Sequence, residues 1–460
     1  MRDVLESVLS GKKADYIEIR VEESKTDAIE YQGPELERAG GSIRFGGSVR
    51  AFVKGGVGFV SFNKLSDLET KVDLAIKQAE LIGNRTSEST NLSPVKVIKD
   101  KVTVEPKENP VEIDLETKIQ LFKSYNDIIL SYGEPISSSR INYFDRFTTL
   151  YYANSEGSYI EQEKLDLGGN ITAVAAKNGN TQLSRVGFGS SRDFGEARNL
   201  EDRVKLACER ATQMLDAPPI KGGEYTVILD PTLAGIFVHE AFGHLSESDF
   251  VFENPELQKI MQLETKFGPE NLNIYDTGDV QGTRGYLKYD DEGVKTERTD
   301  LIKDGNLVGR LHTRETAKKM NENPTGSARA INYNHPPICR MRTTCIAPGD
   351  ASFDDMIKDI KEGVYAVDAY GGQTNGEMFT FKAGEAYMIR DGEIAEMVRD
   401  VNLTGNVFTT LGNIKGIGND FMIKDSGGGC GKGGQGPLPT SQGAPSLKIQ
   451  NVIIGGKADG

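Results

Sequence analysis

The chain has 460 residues, 37% hydrophobic and 27% charged, with a formal net charge of -14. That length exceeds one ordinary core and points to two or three domains, and no apolar run reaches the roughly 18 residues that a membrane helix needs. The acidic balance argues against a duplex nucleic-acid binder, whose affinity comes largely from Lys and Arg neutralising phosphates.

The opening MRDVLESVLSGKKADY lacks a basic segment followed by an apolar one, so no secretory signal is expected and a cytoplasmic location is the default. ADYIEIRVEE alternates apolar and polar residues with period two, and GGSIRFGGSVRAFVKGGVGFVSF reads as two or three strands separated by glycines. Ser66 and Glu69 have capping-box spacing ahead of Leu68, Val72, Ala75, Ile76, Ala79 and Ile82, which predicts a helix. The lysine-rich stretch over 84–110, with Pro94, Pro106 and Pro110, reads as a connector.

Leu115, Ile119, Phe122, Ile128 and Ile129 mark a second helix. Two hairpins follow, one turning near Asn154 to Gly157 and one within NITAVAAKNGNTQLSRVGFG. A third helix carries Leu200, Val204, Ala207, Ala211 and Leu215 and stops before Pro218 and Pro219, where the domain boundary is placed, giving domains 1–218 and 219–460. Beyond it TVIL reads as a buried strand, and Asp230 with Pro231 forms an N-cap and first-turn pair for a further helix. From about residue 270, strand-like runs alternate with Gly, Asn and Asp turns, RDGE among them, so the second half is expected to be mainly β around one helix.

That helix carries VHEAFGHLSESD, with His239 followed by Glu240 and then His244. In the familiar H-E-x-x-H zinc motif the histidines are four apart and leave one face of the helix. Here they are five apart, about 140° around a regular α-helix, which favours two unrelated histidines. A π-turn absorbs the extra residue and would return both imidazoles to one side, with Gly243 easing the distortion. The chemistry that fits is a zinc ion on two imidazoles with Glu240 as base.

A catalytic zinc takes three protein ligands, and spacing leaves the third open among Glu247, His312, His335 and Cys430. The four cysteines, Cys208, Cys339, Cys345 and Cys430, form no C-x-x-C pair and are expected to be reduced. Cys430 stands in SGGGCGKGGQG, where a glycine backbone can present a thiolate to another segment. That run is one residue short of a phosphate-binding loop and has Gly433 where such a loop needs Ser or Thr. The GFG at Gly187 to Gly189 is a lone fragment without a nucleotide fingerprint around it.

VHEAFGHLSESD, followed in order by DEGVKTERTDLIKDGNLVGRLHTRETAKKM, CRMRTTCIAPGD and SGGGCGKGGQGPLPTSQGAPSLKIQNVIIGG, resembles the TldD branch of the TldD/PmbA metallopeptidases. The resemblance implies that His239, His244 and Cys430 are zinc ligands, that Glu240 is the catalytic base, and that Glu247 and Asp249 have supporting roles. It implies an α+β architecture, with an N-terminal α/β domain built on a twisted sheet and a C-terminal, mainly antiparallel β domain enclosing the HExxxH helix. It further implies a homodimer, or a heterodimer with a TldE/PmbA-like subunit, acting on short or unfolded peptides bound as an added strand. A non-catalytic peptide-binding or assembly subunit with a structural zinc is the competing reading, and amidase chemistry on a small molecule would share the same ligands. Arg340 and Arg342 are expected to pair with acidic neighbours rather than line a groove.

Overall fold

The structure, a computed structural model, describes residues 1–85 and 90–455. Its fold is α+β. The first sheet is built on two long hairpins: β1 (Tyr16–Gln32) with β2 (Glu35–Val53), and β5 (Ile136–Asn154) with β6 (Tyr159–Lys177). With β3 (Gly56–Phe62), β4 (Lys99–Val102) and β7 (Asn180–Ser190) it has seven strands in the order β3-β2-β1-β5-β6-β4, and β7 also pairs with β6.

Period-two alternation decides which face of this sheet is oily. Ile17, Ile19 and Val21 near one end of β1, and Ile29 and Tyr31 near the other, share one face and are buried. Helices α1 (Arg2–Leu9) and α2 (Leu68–Gly83) cover the first end, through Leu5 and through Leu68, Val72, Ala75 and Ala79. Helices α3 (Leu115–Leu130) and α4 (Glu201–Asp216) cover the second, through Phe122, Ile129, Val204 and Ala211. The opposite face carries charge. Glu18 receives Arg50 at 2.8 Å, Arg50 reaches Glu292 at 2.5 Å, and Arg20 approaches Asp291 at 3.5 Å, so an ionic layer joins the sheet to the second half.

Three local readings need correction. Ser66 does not cap α2; it lies in a 3-10 turn (Leu65–Asp67), bonds Asp67, and places Asp67 at the N-cap, one residue out of register with the box. The glycines of GGSIRFGG do not interrupt β2, which runs unbroken to Val53; a Cβ on Gly46 would lie 2.3 Å from the Tyr333 ring, so the glycine makes room for a neighbour. The connector over 84–110 contributes β4, parallel to the start of β6, and 86–89 lie outside the described residues.

In the second half, β8 (Gly223–Leu229) pairs with Glu362–Asn375 on one side and with Leu447–Gly455 on the other. Leu447–Gly455 then meets Asn402–Asn406, which meets Met378–Arg390, which returns to Glu362–Asn375. This ring of strands closes on itself and is antiparallel except at β8 with Glu362–Asn375. A smaller sheet lies beside it, in which Thr343–Ile346 pairs in parallel with Ser441–Ala444. Helix α5 (Pro231–Val238) packs between the two, with the Phe237 ring 5.5 Å from Phe379 and 6.1 Å from Phe381. No helix among the described residues is long and apolar enough to cross a membrane.

Candidate metal centre

Asp230 and Pro231 start α5 as the sequence predicts. The Asp230 carboxylate accepts from the Leu233 N–H at 2.8 Å and from the Asp368 N–H at 2.9 Å, fixing the helix start to the ring. After Val238 the helix widens into a π-helical turn (His239–Gly243) and then tightens into a 3-10 turn (His244–Ser246). The extra residue per turn puts His239 and His244 on one face, with ring centroids 5.4 Å apart.

Gly243 serves this segment by its size rather than by backbone freedom. Its φ of -58° is ordinary right-handed helix, whereas a Cβ there would stand 2.0 Å from Met341 Sδ. Two carbonyls of the widened segment have side-chain partners: the Ser246 hydroxyl donates to Phe242 O at 2.8 Å and the Thr374 hydroxyl to Glu240 O at 2.7 Å.

The third member arrives on a hairpin of Cys430–Lys432 with Gln435–Leu438. Cys430 Sγ lies 3.3 Å from His244 Nε2, and the ligating atoms of His239, His244 and Cys430 all fall within 4.8 Å of one another. Of the four candidates for a third ligand, the fold therefore brings Cys430 to the two imidazoles. Glu247 stands behind His244, where its carboxylate meets Nδ1 at 3.0 Å and leaves Nε2 facing the centre. Lys432 approaches Glu247 at 3.1 Å and Asp249 at 2.5 Å, which fastens the cysteine hairpin to the helix.

Charge at the centre favours a cation. Burial opposes ionisation of Cys430, but His239 and His244 outweigh it and bring the thiol down to about 5. Burial also opposes charging of the imidazoles, yet Cys430 raises His239, and Glu247 with Cys430 raises His244 to about 11. An anionic surround that draws protons onto two imidazoles is one that a divalent ion satisfies by displacing them. His239 Nδ1 is moreover buried with no hydrogen-bond partner among the described residues. Two imidazoles and a thiolate form a donor set that suits zinc.

Glu240 opens onto a cleft of about 560 Å³ lined also by Leu245, Phe250, Leu257, Gly372 and Gly431. Its carboxylate is 3.9 Å from His244 Nε2. Burial lifts its pKa above the usual carboxylate range, with His239 and His244 pulling the other way.

The remaining candidates lie elsewhere. His312 is buried against Glu322 at 3.1 Å and Thr316 at 3.2 Å, and His335 lies in a turn where its backbone N–H meets Asn332 O. Arg340 and Arg342 are buried and do not line the cleft: Arg342 pairs with Asp276 at 2.9 Å, while Arg340 donates to Cys430 O at 2.7 Å from behind. Sequence reasoning missed Thr374 and Lys432, whose partners are far from them in the chain. The other three cysteines are unpaired and buried.

Three profiles of one family match the chain in succession: the PmbA/TldA metallopeptidase domain 1 over residues 17–82, the central domain over 108–215 and the C-terminal domain over 222–456. The chain belongs to the PmbA/TldD metallopeptidase family. It is 44% identical to a metalloprotease of Synechocystis sp., over 97% of this chain and 96% of that one. It is 34% identical to a zinc metalloprotease TldD homolog of Saccharolobus solfataricus, over 70% and 72% of the two chains. Among solved structures TldE from Thermococcus kodakarensis shares the fold, with a TM-score of 0.75 at 18% identity over 99% of this chain and 100% of that one. A putative modulator of DNA gyrase from Bacteroides thetaiotaomicron does so at a TM-score of 0.74 and 19% identity, over 99% and 98%. Membership of the PmbA/TldD family thus rests on matches spread from residue 17 to residue 456.

Proposed function

We propose that this chain is a zinc metallopeptidase that hydrolyses short or unfolded peptides, with His239, His244 and Cys430 holding the metal and Glu240 as general base. The observation that carries this reading is the convergence of two imidazoles and a thiolate within 4.8 Å, beside a cleft onto which Glu240 opens. The name of the Saccharolobus relative supports the choice of metal.

Zinc, when bound, supplies Lewis acidity toward water and the scissile carbonyl. Glu240 takes a proton from the attacking water at its carboxylate and delivers it to the leaving amine, work favoured by its raised pKa. Glu247 keeps the His244 proton on Nδ1 and its Nε2 lone pair toward the centre. Gly372, Gly376, Gly429, Gly431 and Gly433 line the cleft and expose backbone. Glu362–Asn375 pairs with β8 only over Gly363–Ala366, so among the described residues the edge of 371–375 opposite its hairpin partner has no strand beside it. Both features favour a peptide held through its main chain as an added strand.

The expected assembly is a homodimer or a heterodimer with a TldE/PmbA-like subunit, supported by the likeness to a TldE fold. We place the protein in the cytoplasm, with no nucleic-acid or membrane partner, and divide it into domains 1–218 and 219–460.

Glu240→Ala tests the mechanism. The variant retains zinc in an elemental assay and loses peptide cleavage by about 10²-fold or more. Undiminished turnover would sink the assignment of Glu240. A wild-type protein that holds metal yet cleaves nothing, even with a TldE-like subunit present, would favour the assembly-subunit reading.

A further inference from the structure

Cys430 is preceded by Gly427, Gly428 and Gly429, three residues with no side chains to fix their own path. Each glycine loses more conformational entropy on ordering than any other residue, so this segment needs an external hold if its thiolate is to stand still. The hold comes from the first sheet and from one arginine.

Residues 426–427 lie on a face of β6 and β7 that is stripped of side chains. A Cβ on Gly427 would be 2.7 Å from Gly169 Cα, and one on Gly187 would be 3.0 Å from Ser426 Cβ. The lone GFG fragment thus forms part of a seat for the loop. Arg284 lies over this seat, 5% exposed. Its Nε and Nη2 form a fork on Asp166 of β6 at 2.6 and 3.1 Å, while Nη1 donates to Ser426 O at 2.6 Å and to Gly428 O. Its guanidinium also stacks over Phe144 of β5 at 5.3 Å. One side chain therefore binds the sheet of the first half and two carbonyls of the segment that delivers Cys430, the second of them two residues from the thiolate.

We propose that Arg284, aimed by Asp166, is a positioning residue for the metal centre, clamping the glycine segment so that the first half of the chain sets the place of the Cys430 ligand. The proposal rests on Cys430 being a ligand.

Arg284→Gln, Arg284→Lys, Asp166→Asn and Cys430→Ser, each in the full chain, are loaded with cobalt(II) and followed by absorption, with zinc affinity measured by chelator competition. Arg284→Gln and Asp166→Asn are expected to weaken the sulfur-to-cobalt charge-transfer band and to bind zinc about 10- to 100-fold more weakly, with unchanged circular dichroism. Arg284→Lys keeps the charge but loses the fork, and recovers only part of the affinity. A lower melting temperature with wild-type band and affinity would overturn the proposal, since a merely structural arginine would give that result. Should Arg284→Gln not fold, Asp166→Asn decides on the same readouts, because it leaves the carbonyl contacts in place. If Cys430→Ser keeps the band, the ligand reading fails. If the band is lost there but intact in the Arg284 and Asp166 variants, only the clamp fails.

Discussion

At the residue scale, Glu247 shows how a buried carboxylate earns its place in a site it does not ligate. It lies fully buried between Lys432 Nζ at 3.1 Å and His244 Nδ1 at 3.0 Å, and its second oxygen accepts from Met341 N–H at 3.3 Å. Burial alone would raise its pKa; Lys432 and His244 reverse that and hold it at about 2. The group is thus favoured as an anion, and its contact with Nδ1 fixes the orientation of the His244 ring. Glu247→Gln should lower zinc affinity about 10- to 100-fold in a chelator competition; an unchanged affinity would mean that the carboxylate serves Lys432 alone. Spacing brought Glu247 into view because it shares a helical segment with His244. It did not single out Cys430, which stands 186 residues from His244 and has no periodic relation to it.

At the scale of elements, the π-helical turn (His239–Gly243) joins two rigid attachments. Upstream, α5 is fixed by its Asp230 cap and by Phe237 against Phe379 and Phe381. Downstream, His244 is fixed by Glu247 and Cys430. Deleting Ala241 would restore the four-residue spacing of a common zinc helix, yet it would rotate α5 by about 100° and shift it by about 1.5 Å against the downstream segment. We expect the deletion to cost several kcal/mol, on the order of a large core disruption, and to abolish metal binding, as read by urea unfolding and elemental analysis. A stable, zinc-loaded deletion variant would show the extra residue to be dispensable. The spacing of the two histidines by itself favoured two unrelated side chains; the widened turn became the expectation only once the resemblance implied that both hold one ion, because a π-turn is the helical geometry that brings residues five apart onto one face. The length of β2 was less legible: Gly46 and Gly47 look like breaks until the neighbours that require them, the rings of Tyr333 and Phe62, are in place.

At the scale of the whole molecule, the charged face of the first sheet meets Asp291 and Glu292 of the second half. Burial alone would raise the Asp291 pKa; Arg20 and Lys164 outweigh it and hold it at about 2. A carboxylate depressed in this way stabilises the fold above its unfolded value of about 3.9 and loses that contribution as pH falls toward 2. Asp291→Asn should therefore be less stable than wild type at pH 6, and the gap should narrow by about 2 kcal/mol by pH 2 in denaturant titrations. A gap independent of pH would assign the cost to packing. This layer was hidden in the sequence for a physical reason. Glu18, Arg20 and Arg50 sit at the polar positions of alternating strands, where the pattern alone reads as a face toward water.

The closed ring of strands beside α5 has a consequence for the order of events in the cell. β8 is translated early in the second half, but one of its two neighbours, Leu447–Gly455, is translated more than two hundred residues later, after Cys430 itself. A nascent chain can thus expose the histidine pair long before either the thiolate or the sealing strand exists. Pairings so distant along the chain form slowly, so the proposed centre is expected to assemble late in folding, with the thiolate joining the two imidazoles only after the segment around residue 430 has found its place.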